Sequence, residues 1–264
     1  MRRCLLQSLL ALCFVPLVGL AQKPYEPVVG QEGRDVVWVP TPYVTVEKML
    51  DMAKVTPQDF VMDLGSGDGR NIIAAAKRGA RALGVEYNAE MVEYAQRVAA
   101  KEGVADKAMF VQGDMYEADI SQATVLALFL LPENLDKLAP KFMALKPGTR
   151  IVANHFWVDG WNADETQRAE GDCGGWCTVL LFIVPANVAG TWRMPQGELS
   201  LVQKFQTITG TLSAGGKAMP ITDGRLHGEQ ISFTAGDTTY TGRVSGDAMR
   251  GDNRAWSAAR VRPD

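Results

Sequence analysis

Short apolar runs alternate with amphipathic stretches between about residues 35 and 186. The runs are rich in Val, Ile, Leu and Phe, which is typical of strands that are buried on both faces of a parallel sheet. Five of them are predicted strands: FVMDLG (60–65), RALGVE (81–86), AMFVQGD (108–114), TVLALFLL (124–131) and TRIVANHF (149–156). The alternation predicts an α/β fold with a Rossmann-like, open and mostly parallel sheet.

The intervening stretches carry apolar residues at helical spacing. They read RNIIAAAKRG, AEMVEYAQRVAAKEG and ENLDKLAPKFMALKPG, and a further helix, VTVEKMLDMAKV (44–55), precedes the first strand. Pro140 lies inside the last of these stretches, so we expect that helix to break or kink there.

The pattern changes after CTVLLFIVPA (177–186). From Gly190 onward, short alternating segments are separated by glycine-rich turns, and the segments lack helical periodicity. This predicts a small antiparallel β-domain over residues 189–264, a meander or a partial barrel. The α/β domain then covers residues 22–188.

The first 21 residues combine a basic start, an apolar run and small residues at the end. This layout predicts a secretory signal peptide that is cleaved after Ala21, and hence an exported protein, periplasmic or secreted. The alternative is an uncleaved membrane anchor, because the run from Cys4 to Ala21 is just long enough to span a bilayer. Both interpretations place the rest of the chain on the outer side of the membrane.

Charge and cysteine content narrow the functional classes. The chain has 264 residues and a formal net charge of −3. A mildly acidic protein is a poor partner for nucleic acid, which requires clustered Lys and Arg.

Outside the export segment only two cysteines remain, Cys173 and Cys177 in CGGWC. They could form a local disulfide in an oxidising compartment. Two sulfurs without nearby histidines are too few for a structural zinc site, and we expect no metal.

A glycine loop, DLGSGDGR, follows the first predicted strand. Its glycines, Gly65, Gly67 and Gly69, do not have the spacing of the dinucleotide motif GxGxxG, and the loop lacks the Lys-Ser/Thr pair of a phosphate-binding P-loop. Asp63, just before the first glycine, would repel a pyrophosphate but not a cationic ligand.

Two more acids lie at the ends of the next two strands. Glu86 could accept hydrogen bonds from both hydroxyls of a ribose, and Asp114 from an adenine amino group. Acids also cap helices, which would explain one such residue better than three in register. Three acids at successive strand ends therefore predict a nucleoside site in the crevice where open α/β sheets bind ligands.

The segments VMDLGSGDGR, GVEYN and VQGDM resemble the first three motifs of class I S-adenosylmethionine-dependent methyltransferases, over about residues 36–158. The resemblance implies S-adenosyl-L-methionine as cofactor. Its methionine part and ribose would lie at Asp63 and the glycine loop, its ribose hydroxyls at Glu86, and its adenine at Asp114 and Met115. The candidate cofactor-binding residues are Asp63, Gly65, Ser66, Gly67, Asp68, Gly69, Glu86, Asn88, Asp114 and Met115.

Three further segments, VVWVPTPYVTVEKML, FLLPENL and NHF with the following GW, resemble a narrower group. These are small protein-lysine methyltransferases whose mitochondrial members act on membrane carrier and ATP-synthase subunits, together with bacterial relatives. The resemblance implies a protein lysine as methyl acceptor, whereas WVPTP alone could equally be a turn before the first helix. The candidate channel residues are Trp38, Thr41, Tyr43, Pro132, Phe156 and Trp161.

Two other functions stay open at this point: a small-molecule or lipid N- or O-methyltransferase, and an exported binding protein that keeps the fold without catalysis. Leu130-Leu131-Pro132 lacks the Asn or Asp followed by Pro-Pro and an aromatic residue that methyltransferases of base amines and glutamine amides carry. No residue is assigned as catalytic. His155 is left unassigned, because a lone histidine is more often structural than catalytic.

Overall fold

The computed structural model describes residues 23–262. The predicted signal peptide, with Cys4 and Cys13, lies outside these residues. Within them, no helix is long and apolar enough to cross a membrane.

The first part of the chain forms a seven-stranded sheet. Its strands are β1 (Phe60–Leu64), β2 (Arg81–Glu86), β3 (Ala108–Gln112), β4 (Val125–Leu128), β5 (Arg150–Asn154), β6 (Glu165–Arg168) and β7 (Thr178–Ile183). They lie in the order β3-β2-β1-β4-β5-β7-β6. Strands β1 to β5 pair in parallel, and β7 runs antiparallel to both β5 and β6. The predicted fold class, α/β with a mostly parallel sheet, is confirmed.

Helices cover both faces of this sheet. They are α1 (Tyr43–Met52), α2 (Arg70–Lys77), α3 (Ala89–Lys101) and α4 (Pro132–Met143). The first three pack on one face, with Leu50, Ile72 and Ala95 in a shared core, and α4 packs on the other through Leu135 and Phe142. Because both faces are covered, the strands are nearly continuous apolar runs, and the crevice for a ligand lies at their carboxyl ends.

The expected break at Pro140 is wrong, since α4 continues through it to Met143. Proline removes one backbone donor, so the carbonyl group one turn earlier loses its helical partner. Pro140 lies on the exposed side of the helix. Water can therefore satisfy that carbonyl group, and the helix keeps its buried side intact.

The second part of the chain forms a closed barrel of eight strands. These are β8 (Gly190–Met194), β9 (Gly197–Lys204), β10 (Thr207–Ala214), β11 (Lys217–His227), β12 (Gln230–Ala235), β13 (Thr238–Ser245), β14 (Ala248–Gly251) and β15 (Ser257–Arg260). Each strand pairs antiparallel with the next, and β15 returns to pair with β8. Trp192, Phe233 and Met249 belong to its buried apolar core. The sequence suggested a meander or a partial barrel; the final pairing closes the meander into a full barrel.

Trp161 lies where the barrel meets the sheet. Its ring stacks on Phe205 with centroids 5.0 Å apart and meets Phe182 edge-on at 5.6 Å. Beside it, the side-chain amide of Gln206 donates to the carbonyl group of Asn162 at 2.5 Å. Trp161 is buried in this junction and does not border the cavity described below, so its predicted place in a substrate channel is wrong.

Candidate active site

A cavity of about 350 Å³ lies at the carboxyl ends of the parallel strands. Asp63, Glu86 and Asp114 all border it, so the structure brings together the three acids that the sequence singled out. Residues 31–41, which we call the N-terminal strap, border the other side of the cavity.

The glycine loop between β1 and α2 passes close to its neighbours. Gly67 and Gly69 have left-handed φ angles of +53° and +82°. A Cβ atom on Gly67 would lie 2.5 Å from Nε1 of Trp38, and one on Gly69 would lie 2.6 Å from the ring of Phe110. Glycine is therefore needed at both positions, for backbone conformation and for space.

Glu86, at the end of β2, holds the glycine loop against the start of α3. One carboxylate oxygen accepts the N–H of Gly67 at 2.9 Å, and the other accepts the N–H of Asn88 at 3.0 Å. The Asn88 side chain in turn caps α3 by accepting the N–H groups of Glu90 and Met91. A carboxylate has about four acceptor sites, so Glu86 retains capacity for two hydroxyl donors from the cavity.

Asp63, near the end of β1, is buried with only 3% of its surface exposed. Burial raises the pKa of this carboxyl well above its usual range. The amide of Asn71 donates to it at 2.9 Å, which opposes the rise, and the nearby charges of Glu86 and Asp68 add to it. A cation in the cavity would favour the ionised form and oppose this rise of the pKa.

Asp114 follows β3 and makes an ion pair with the N-terminal strap. Its carboxylate lies 2.6 Å from the guanidinium group of Arg34, which also stacks over the Tyr87 ring at 4.5 Å. The backbone N–H of Tyr116 lowers the pKa of Asp114, and Arg34 lowers it further. The strap thus covers the acid that the resemblance assigns to adenine.

Asp68 and Tyr43 hold the beginning of α1 in place. Asp68 pairs with Arg70 at 2.5 Å, and Arg70 donates to the carbonyl group of Thr41 at 2.7 Å. The same guanidinium group lies 4.6 Å from the centroid of the Tyr43 ring. Tyr43 is exposed and does not border the cavity, so it is not the channel residue that the sequence suggested.

Three aromatic rings border the cavity beyond the ends of β4 and β5. Phe129, Phe156 and Trp176, which we call the aromatic wall, lie with ring centroids 5.2–6.3 Å apart. The exposed ring of His155 meets Phe156 at 4.8 Å and Trp176 at 5.1 Å, edge-on in both cases. This part of the cavity is apolar and aromatic, in contrast to the acidic part.

A disulfide joins Cys173 to Cys177. The sequence left this pairing open. The bond closes a five-residue loop directly before β7, and Trp176 of the aromatic wall belongs to that loop.

Comparisons with known proteins identify the family. The family model of the ANTKMT methyltransferase domain matches residues 63–165. A protein-lysine N-methyltransferase of Saccharolobus islandicus is 45% identical over 152 residues, which cover 56% of this chain and 94% of that protein. The chain belongs to this methyltransferase family.

Other relatives of the methyltransferase match a smaller share or carry a different description. The adenine nucleotide translocase lysine N-methyltransferase of Mus musculus is 33% identical over 118 residues, which span 44% of this chain and 51% of the mouse protein. A crystal structure described as an RNA methyltransferase from Salinibacter ruber with S-adenosyl-L-homocysteine is 43% identical, with a TM-score of 0.53. It covers 57% of this chain and 96% of its own.

The cofactor of this methyltransferase is S-adenosylmethionine, and the cavity offers polar groups that suit it. Oγ of Ser66 and Oδ1 of Asn71 are buried and have no hydrogen-bond partner. Both residues border the cavity beside Asp63. A ligand with a carboxylate and an ammonium group would supply the missing partners, because a hydroxyl can donate and an amide oxygen accepts.

The predicted site residues divide into two sets. Most predicted cofactor residues border the cavity: Asp63, Gly65, Ser66, Gly67, Asp68, Glu86, Asn88, Asp114 and Met115. Gly69 instead packs under β3, and Pro132 begins α4 directly after Leu131, which borders the cavity, but does not border it itself. Of the predicted channel residues, Trp38, Thr41 and Phe156 border the cavity.

Residues that border the cavity but were not predicted from the sequence include Arg34, Asn71, Phe129 and Trp176. The tryptophan of CGGWC was the one visible signal, since a tryptophan between two cysteines in a glycine loop is unusual for a plain turn.

Proposed function

We propose that the protein transfers a methyl group from S-adenosylmethionine to the ε-amino group of a lysine in another protein. The observation that carries the proposal is the two-part cavity, with carboxylates at one end and aromatic rings at the other. The 45% identity to the archaeal protein-lysine N-methyltransferase, over nearly its whole length, supports the choice of lysine.

The acidic end would hold the cofactor. Glu86 would accept the ribose hydroxyls, and Asp63 with Asn71 would receive the ammonium group of the amino acid part. When bound, the cofactor supplies an electrophilic methyl group, and the electron pair of the broken carbon–sulfur bond stays on sulfur. Gly65 and Gly67 border the cavity without side chains, so the cofactor would approach the backbone of the glycine loop closely.

The aromatic end would receive the lysine side chain. A free lysine has a pKa of ~10.4 and must lose a proton before its nitrogen can attack. An apolar, aromatic site disfavours the ammonium form and lowers this pKa, so a dedicated base is not required. Orientation of the amine toward the methyl group supplies much of the remaining rate.

RNA is the competing acceptor, since the solved relative from Salinibacter ruber is described as an RNA methyltransferase. The mouth of the cavity argues against it here. The cation of the N-terminal strap, Arg34, is neutralised by Asp114, and the chain is acidic overall. Phosphate contacts need cations that are free to displace counterions.

Transfer of tritium from methyl-labelled cofactor to a cell extract tests the proposal. We expect base-stable label in protein, recovered as methyllysine after acid hydrolysis. Glu86→Ala is the control: it should abolish transfer, because it removes a charged acceptor for two ribose hydroxyls and two backbone contacts. Label in the RNA, lipid or small-molecule fraction instead of protein would contradict the lysine assignment.

Export also remains a proposal. The Cys173–Cys177 disulfide supports it, because disulfides persist mainly in oxidising compartments. Fractionation of cells that express the full chain tests it, and it separates a cleaved protein from one that stays membrane-associated through its N-terminus. Recovery of the full-length chain in the cytosolic fraction would contradict export.

A further inference from the structure

The ring of Trp176 occupies a position that the fold fixes from two sides. The backbone N–H of Trp176 donates to the carbonyl group of Cys173 at 2.7 Å, inside the disulfide loop. On the other side, the hydroxyl of Thr45 in α1 donates to the carbonyl group of Trp176 at 2.9 Å. The ring therefore meets Phe129 from a loop that is anchored to both the disulfide and α1.

The disulfide loop has little else to order it. Gly174 and Gly175 have left-handed φ angles of +51° and +93°, and a Cβ on either would find nothing within 4 Å. Glycines in open space leave many conformations available to a loop. Cys173 and Cys177 are themselves buried, and the carbonyl group of Cys177 accepts the N–H of Ala169 beside β7. The covalent link between buried ends restricts the two exposed glycines and acts together with Thr45 to hold the half-buried Trp176.

We propose that Trp176 is a specificity-determining residue for the lysine acceptor, and that the Cys173–Cys177 disulfide positions its ring. The inference rests on the proposed function, and it names the group that recognises the acceptor. The lysine attacks as a neutral amine, and its nitrogen gains positive charge as it accepts the methyl group. Tryptophan is the strongest of the aromatic side chains in attracting such a cation. Together with Phe129 and Phe156 it forms an apolar wall that admits a lysine stem and its neutral amine and stabilises the charge that develops during transfer.

The disulfide matters locally rather than globally in this proposal. The stabilisation that a disulfide gives to a fold increases with the length of the loop it closes, and this loop has only five residues. The main effect of reduction should therefore be lost order around Trp176, not lost folding. An enzyme of this kind reaches full activity only where the bond can form.

The test uses the full-length protein and three tryptophan variants. Trp176→Ala and Trp176→Leu remove the aromatic face, and Leu keeps apolar bulk; Trp176→Phe keeps an aromatic face. The probe is total cell protein at limiting dilution with tritium-labelled cofactor, so that the slope of methyllysine formation reports kcat/KM. We expect Ala and Leu to lower this slope about tenfold, a size between those of an exposed and a desolvated cation–π contact, and Phe to stay within about threefold of wild type.

The paired variant Cys173→Ala/Cys177→Ala tests the positioning role. We expect a several-fold lower slope, and dithiothreitol should bring the wild type down to the same level without affecting the variant. Binding of S-adenosylhomocysteine, measured by calorimetry, should stay within about twofold of wild type in all variants, because Trp176 lies in the aromatic wall and not at the acidic end of the cavity. The melting temperature of each variant shows whether it is folded.

The outcomes separate this inference from the proposed function. A wild type that labels RNA or small molecules but no lysine overturns both. If the wild type labels lysine but Trp176→Ala and Trp176→Leu keep the full slope, the role of Trp176 alone is overturned. The same holds if these two variants lose cofactor affinity as much as they lose slope, because the ring would then belong to the cofactor site. A full slope in the double cysteine variant overturns the positioning role of the disulfide.

Discussion

The buried acid Asp63 makes cofactor binding depend on pH. Its carboxyl is buried and has a raised pKa, so it is neutral in the ligand-free protein at pH values below that pKa. We expect the carboxyl of Asp63 to lose its proton when the ammonium group of the ligand binds beside it. Below the pKa of Asp63, the Kd of the wild type should then fall tenfold for each unit of rising pH, or about 1.4 kcal/mol per unit, and level off above it.

Asp63→Asn is the matched variant, because it has the same shape as the neutral acid and can still accept from Asn71. The two proteins should bind alike at low pH, and only the wild type should gain affinity as the pH rises. Calorimetry with S-adenosylhomocysteine in two buffers of different ionisation enthalpy counts the protons. The amino group of the ligand also titrates, but equally for both proteins, so the difference between them isolates Asp63. Identical pH profiles and proton counts would refute the reasoning.

The same acid affects stability without ligand. Its folded pKa is raised, so its favourable contribution is complete at low pH and is lost as the pH rises through the folded value. Asp63→Asn should therefore become more stable than the wild type above that pH. Thermal unfolding at several pH values measures this gain, and a variant that melts lower at every pH would contradict it.

Three further perturbations test other parts of the structure. Burial raises the pKa of Asp59, but hydrogen bonds, led by the one from the backbone N–H of Thr56, lower it overall. Asp59→Asn should therefore lower the free energy of unfolding in urea by about 2–3 kcal/mol at pH 7. This difference should vanish at acidic pH, where the wild-type carboxyl is protonated as well. Trp161→Ala should cost about 3 kcal/mol and split calorimetric unfolding into two transitions, because it removes the ring at the barrel junction; a single unshifted transition would argue against this. Arg34→Ala should leave cofactor affinity unchanged or tighter, since it frees the cavity's third acid; weaker binding would show that Arg34 contacts the ligand.

The parallel core of the fold was predictable because its signals are local. Strands buried on both faces are nearly continuous apolar runs, and glycines at close spacing indicate a loop with left-handed backbone angles. In contrast, β6 reads ETQR, with all four side chains exposed. It pairs only with β7 and sits at the edge of the sheet, so no hydrophobic pattern marks it.

The acidic end of the site was predictable and the aromatic end was not. Asp63, Glu86 and Asp114 each lie at or just beyond the carboxyl end of a strand in a repeating unit, so one rule places all three. The aromatic wall depends on contacts between distant parts of the chain. Phe129 and Trp176 meet only because β7 returns antiparallel to β5 and the disulfide closes its loop, and neither event has a periodic signature.

The closed barrel limits how an extended peptide can dock. Each of its strands already has a hydrogen-bonding neighbour on both sides, so it cannot take up a peptide by strand addition. Within residues 23–262, the outer edges of the seven-stranded sheet, at β3 and at β6, are the places where a strand has one neighbour. Of these two, β6 ends opposite Thr178, the residue that follows the disulfide loop. A peptide backbone added there would pair with β6 and lie one strand away from β7, the strand that follows Trp176.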